Sequence, residues 1–210
     1  DGTLNSRTAA MLVDYLDPMP NMPRGQIMAD PAALRTHLAT SERLGLHLAV
    51  HAIGDGAVRF VLDAIDEVAR SRLKGLRRDA NQRHRIEHCE LIDTADVPRF
   101  RALNAICSVQ PCHLLSDIEA LSRYLPHRLG RVLPLRELID SGLEPGCDLW
   151  FGSDVPIVRA CRCGSRSTSR RTSRSTSRSA STSRWTSRWT SRSSPARVWP
   201  TPPAGETAEC

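Results

Sequence analysis

Leu46-His-Leu-Ala-Val-His51-Ala-Ile-Gly-Asp-Gly56 is an alternating apolar run that stops at Gly54-Asp55-Gly56 and passes straight into a helical pattern. Within it Leu46, Leu48 and Val50 oppose His47, Ala49 and His51, the period of two that belongs to a strand. Beyond the turn Val58, Val61, Leu62, Ile65 and Val68 keep the i, i+3, i+4, i+7 stripe of an amphipathic helix. The stretch is therefore a βα unit, with His51 at the end of its strand. Upstream, Asp30-Pro31 reads as an N-cap followed by a first-turn proline; Ala33, Leu34 and Leu38 begin an apolar face, and Gly45 ends that helix.

The same alternation recurs downstream. A strand is expected near 84–88, a helix near 94–103 opened by Asp93 or Thr94, a strand over 105–111, helical segments between 114 and 141, and a strand over 149–153. Four strands alternating with helices predict an α/β fold with a parallel sheet. Four such units make about half of an eight-stranded (β/α)8 TIM-like barrel. A doubly wound sheet is the competing architecture, but no Gly-rich phosphate loop follows any strand, and polar groups stand at all four strand ends.

Charge divides the chain in two. The whole carries +6, yet from Arg159 to the end there are 11 Arg against only Glu206 and Glu209, which leaves 1–158 mildly acidic. The expected organisation is a partial barrel over 1–158 and a low-complexity, disordered Arg/Ser/Thr-rich tail over 159–210, where Thr-Ser-Arg-Trp repeats place Trp185 and Trp189 without a helical face. Cys89, Cys107, Cys112 and Cys147 lie in or beside apolar runs and read as free thiols, so a reduced, cytoplasmic compartment is expected. Cys161-Arg-Cys163 is too short for a usual zinc knuckle and has no second pair. No apolar stretch of about 18 residues is present, so no membrane span is expected. The chain opens at Asp1 without Met, from which a missing upstream beginning is expected.

Three strand ends carry metal-capable side chains: His51, His88 in Arg85-Ile-Glu-His-Cys89, and Asp154 in Gly152-Ser-Asp-Val-Pro156. Two imidazoles and a carboxylate can converge on a divalent ion, zinc foremost, at about 2.0–2.2 Å with a position left for water. Any one of them alone would read as a satisfied strand-end or turn residue. Asp154 is the candidate general base, able to take a proton from a metal-activated water and deliver it to a leaving amine. His113, after Val109-Gln-Pro111, is the candidate substrate-binding residue, reaching the same mouth to hydrogen-bond a carbonyl or its oxyanion, with a surface histidine after the proline turn as the alternative reading. Asp55 is expected to cap the helix behind it. By alternation His84, Ile86 and His88 share a side, so Arg85 and Glu87 are expected to point toward the helices. His47 and His84, roughly 13 Å behind the ligand positions, read as core or bottom-face residues.

Asp1-Gly-Thr-Leu-Asn-Ser-Arg-Thr-Ala-Ala-Met11, His51-Ala-Ile-Gly-Asp55, Arg83-His-Arg-Ile-Glu-His-Cys89, Ser108-Val-Gln-Pro-Cys-His113 and Phe151-Gly-Ser-Asp-Val-Pro156 together resemble the amidohydrolase superfamily. Within it the sequence is similar to amidohydrolase family 3, which includes N-substituted formamide deformylase-like enzymes. The resemblance implies a distorted (β/α)8 barrel with a small β-sandwich and metal-dependent hydrolysis of C–N bonds in a small amide-type substrate. It also implies His51, His88 and Asp154 as ligands from barrel strands five, six and eight. The family's His-x-His pair and metal-proximal lysine would precede Asp1, which leaves one ion or a bridged pair open. Past Val158 the family pattern is not recognisable, and the tail looks like an out-of-frame or mis-spliced end more than a natural RS-like segment. Three functions follow as expectations. They are a C-terminal fragment of a metal-dependent amidohydrolase, an inactive truncated product, and nucleic-acid binding through the basic tail alone.

Overall fold

The computed structural model describes residues 1–71, 82–155 and 157. All of them belong to one compact unit, Asp1–Arg162. The expected tail over 159–210, its Trp repeats, Cys161-Arg-Cys163 and any nucleic-acid contact lie outside the described residues.

Four strands form one parallel sheet in the order β1 (Ala49–Ala52), β2 (Arg85–His88), β3 (Ile106–Val109) and β4 (Leu149–Phe151). The helices are α1 (Pro31–Arg43), α2 (Asp55–Ser71), α3 (Val97–Ala102), α4 (Leu114–Tyr124) and α5 (Leu135–Asp140). Spatial order follows chain order without reversal, so the sheet lacks the switch point of a doubly wound fold and has the layout of a partial TIM-like barrel. Every strand is shorter than its apolar run, because pairing extends only as far as the neighbouring strand runs alongside. Leu46-His47 stays outside β1, and His47 Nδ1 instead pairs with the backbone of Arg83.

Local chemistry accounts for the helix ends. The Asp30 carboxylate accepts the Ala33 N–H at 2.7 Å and caps α1, which runs out at Leu44 before Gly45 takes a φ of +69°. The helix expected from 94 starts three residues later, at Val97, because the Asp93 side chain closes a turn on the Ala95 N–H at 3.1 Å. Asp55 opens α2 but does not cap it. Its carboxylate is fully buried and is taken by the Leu12 N–H at 2.8 Å and by the Arg128 guanidinium, so a tertiary contact has displaced the expected local one.

Cross-strand register sorts the sheet into two faces. Val50, Ile86, Cys107 and Leu149 lie in one row, packed with α2 residues Val58, Val61, Leu62 and Ile65 and with Phe100 of α3. The adjacent row, His51, Glu87, Ser108 and Trp150, faces the other way. Arg85 and Glu87 are therefore not turned to the helices as alternation from His88 implied. They pair with each other on the opposite face, where Arg85 lies 5.1 Å from the Trp150 ring and Gln110 Nε2 donates to Glu87 Oε2 at 3.2 Å. His84 keeps the helix side with Ile86, buried beside Glu42, its Nε2 3.4 Å from Oε1. A second apolar cluster joins Leu4, Ala9, Met11 and Tyr15 to Ile53, Leu91 and α4 residues Ala120 and Leu121. It fastens the N-terminal segment across the top of β1.

Cys89, Cys107 and Cys112 are free, as expected, whereas Cys147 is disulfide-bonded. The difference follows from position: Cys147 sits half-exposed in the turn before β4, not in the apolar strand. Among the described residues no helix is long and apolar enough to cross a membrane. The core supplies a first stability prediction. Leu62 has no exposed surface, and Leu62→Ala is expected to cost about 2–5 kcal/mol, read as a lowered urea midpoint with an unchanged slope.

Candidate metal centre

Parallel strands in sequential order bring their C-terminal ends to one edge, and the candidate side chains gather there. His51 is on β1, His88 ends β2, His113 closes the 3₁₀ turn Pro111–His113 after β3, and Asp154 follows β4. The His51 and His88 rings stand edge to face with centroids 4.5 Å apart, and those of His88 and His113 are 5.2 Å apart. His113 Nε2 lies 3.5 Å from Asp154 Oδ2. One donor atom each from His88, His113 and Asp154 falls within 4.8 Å of the others, the single such group among the described residues.

His88 reaches this cluster through backbone strain. Register pairs it with Ala52, a residue buried on the helix side, yet its ring meets His51. The left-handed φ of +73° at His88 and +46° at Cys89 breaks the alternation at the strand end. Asp154 also has a left-handed φ, +51°. Such conformations cost on the order of 1–3 kcal/mol each for non-glycine residues and persist where surrounding contacts over-determine them. Two of the three residues that converge are held this way.

Burial sets the protonation. Desolvation first, then the neighbouring His51 and His113 rings, lowers the His88 pKa to about 4. Burial likewise lowers that of His51. His88 is therefore neutral at neutral pH, the state in which imidazole offers a lone pair to a metal. A cation fits the donor set on a second ground: His88 Nδ1 and His113 Nε2 are buried and have no hydrogen-bond partner. Buried polar atoms left bare cost about 1–3 kcal/mol each, a cost that coordination would remove. A divalent ion suited to nitrogen and carboxylate ligands matches both the donors and the bare nitrogens.

The model for amidohydrolase family 3 matches residues 1–192. The chain belongs to the amidohydrolase family. Protein LONG AFTER FAR-RED 3 of Arabidopsis thaliana is 33% identical over 159 residues, 75% of this chain and 25% of that protein. Crystal structures of uncharacterized metal-dependent hydrolases from Pyrococcus furiosus and Pyrococcus horikoshii OT3 each superpose with a TM-score of 0.61. Their identities are 30% and 29%, over 75% of this chain and 30% and 29% of theirs. The chain thus spans less than a third of the length of these relatives.

Within this amidohydrolase segment, the structure groups His113 with His88 and Asp154 and sets His51 alongside, against the His88 ring. From sequence His113 is expected at this mouth as a substrate contact; the 3₁₀ turn Pro111–His113 sets it among the donor atoms instead. Two further contributors had no local signal. Glu87 is the neighbour of His51 across the register, and Asp1 Oδ1 lies 3.1 Å from His51 Nδ1. Both depend on pairing between segments more than 30 residues apart.

Proposed function

We propose that this chain carries the downstream half of an amidohydrolase active site, holding a divalent ion, zinc foremost, between His88, His113 and Asp154 with His51 at its side. The substrate is a small amide or formamide-like molecule cleaved at its C–N bond. The observation that carries this reading is the convergence of three donors whose two imidazoles have bare, buried nitrogens. An ion bound there would supply Lewis acidity toward water and the scissile carbonyl.

The chain's own groups do the remainder. Asp154, exposed at the mouth, is placed to take a proton from the attacking water and return it to the leaving amine. His113, whose Nε2 lies 3.5 Å from that carboxylate, would share the ion with it and so fix where the carboxylate stands. His88, kept neutral by burial, would offer a lone pair instead of repelling a cation, and desolvation lowers the His51 pKa in the same direction. Burial of the free thiols Cys89 and Cys107 accords with a reducing, cytoplasmic setting, while the Cys147 disulfide weighs against it.

The described sheet has four strands where a closed (β/α)8 barrel has eight, so turnover is expected to need further barrel strands. The test compares the 210-residue chain with a protein joining it to such strands, on a panel of N-acyl and N-formyl amines with and without a chelator. Chelator-sensitive hydrolysis by the second alone is expected. Turnover by the 210-residue chain itself would overturn the need for further strands, and metal uptake without hydrolysis by either would overturn the C–N reading.

A further inference from the structure

The Asp1 side chain has no exposed surface, and its carboxylate meets four partners. Oδ1 lies 3.1 Å from His51 Nδ1 and accepts the Ile53 N–H at 3.0 Å. Oδ2 accepts the Gly54 N–H at 2.9 Å and the Ala10 N–H at 3.0 Å. A carboxylate offers about four lone-pair sites, so these four partners saturate it. Three backbone donors favour its ionised form, and an ionised carboxylate can only accept. His51 Nδ1 must therefore carry the proton, which leaves Nε2 with a free lone pair in the neutral ring.

We propose that Asp1 is a positioning residue acting through His51, fixing the ring as its Nδ1–H tautomer so that Nε2 remains a donor beside the His88, His113 and Asp154 cluster. The inference rests on the metal-site reading above. A carboxylate behind an imidazole fixes its orientation and raises its basicity toward a metal, and removing such a partner typically weakens metal affinity about 10- to 100-fold. The sequence around His51 is shaped for this contact. A Cβ at Gly54 would collide with the Ala10 carbonyl, so only glycine lets the 1–11 segment lie close enough for Asp1 to reach Nδ1.

Two measurements on the full chain test it. Long-range proton–nitrogen NMR of the metal-free protein reads the tautomer directly, and His51 is expected as Nδ1–H; an Nε2–H ring would overturn the proposal even if no variant folds. Zinc titration of Asp1→Ala, His51→Ala and the double variant forms a cycle. Asp1→Ala is expected to weaken zinc binding about 10- to 100-fold, with no further loss when His51 is already alanine. The same loss in the His51→Ala background would show that Asp1 acts on the fold and not through the ring. If the unaltered chain takes up no zinc, the metal-site reading fails, and the tautomer still decides the Asp1–His51 contact.

Discussion

His88→Gly is expected to abolish high-affinity zinc uptake while leaving the metal-free chain as stable as before or more so. The two effects have separate causes. Removing the ring takes away one of three convergent donors, a larger loss than the roughly 10- to 100-fold that follows removal of a ligand's outer partner. In the metal-free state the same ring is a liability: its Nδ1 is buried without a partner, and its backbone sits at a φ of +73° that glycine adopts without strain. Relief of strain and of the bare nitrogen offsets the packing lost with a half-buried side chain. Thermal melts with zinc and with chelator read both at once. Zinc should raise the midpoint of the unaltered chain and not that of the variant. A variant that binds zinc as tightly as the parent would sink the assignment of His88.

That strained residue also marks where sequence pattern stopped being informative. The βα alternation was legible because Val58, Val61, Leu62, Ile65 and Val68 repeat at helical spacing next to an alternating run, and both signals are local. Strand-end placement of His51, His88 and Asp154 followed from the same periodicity. Facing did not, since counting by twos back from His88 assigned Arg85 and Glu87 to the helix side, and a left-handed φ at the strand's last residue inverts that count. The Asp55 cap failed for a different reason. Leu12 and Arg128, 43 and 73 residues away, outcompete the local amide for the carboxylate. His113, read as a substrate contact, sits with the donors because a 3₁₀ turn follows β3, a detail of pitch that Pro111-Cys-His113 does not announce.

Replacing Glu90 with glutamine is expected to stabilise the chain at pH 7–8 and to flatten its dependence on pH. Glu90 is 3% exposed, and neither carboxyl oxygen has a hydrogen-bond partner. Burial, then the charge of neighbouring Asp117, pushes its pKa up to about 8, and burial raises that of Asp117 as well. A carboxyl whose pKa is raised by folding binds its proton more tightly in the folded state than in the unfolded one. Its favourable contribution is complete below the unfolded value of 4.5 and is lost progressively as pH rises through about 8. At pH 7 the folded chain must hold a proton that the unfolded chain has released, a cost on the order of 3 kcal/mol at about 1.4 kcal/mol per pH unit. Glutamine keeps the shape and carries no charge to desolvate beside Asp117. Urea unfolding at pH 5 and pH 8 should show the parent losing stability between the two and Glu90→Gln losing far less. Parallel pH slopes for the two proteins would mean that Glu90 does not hold a proton in the folded state.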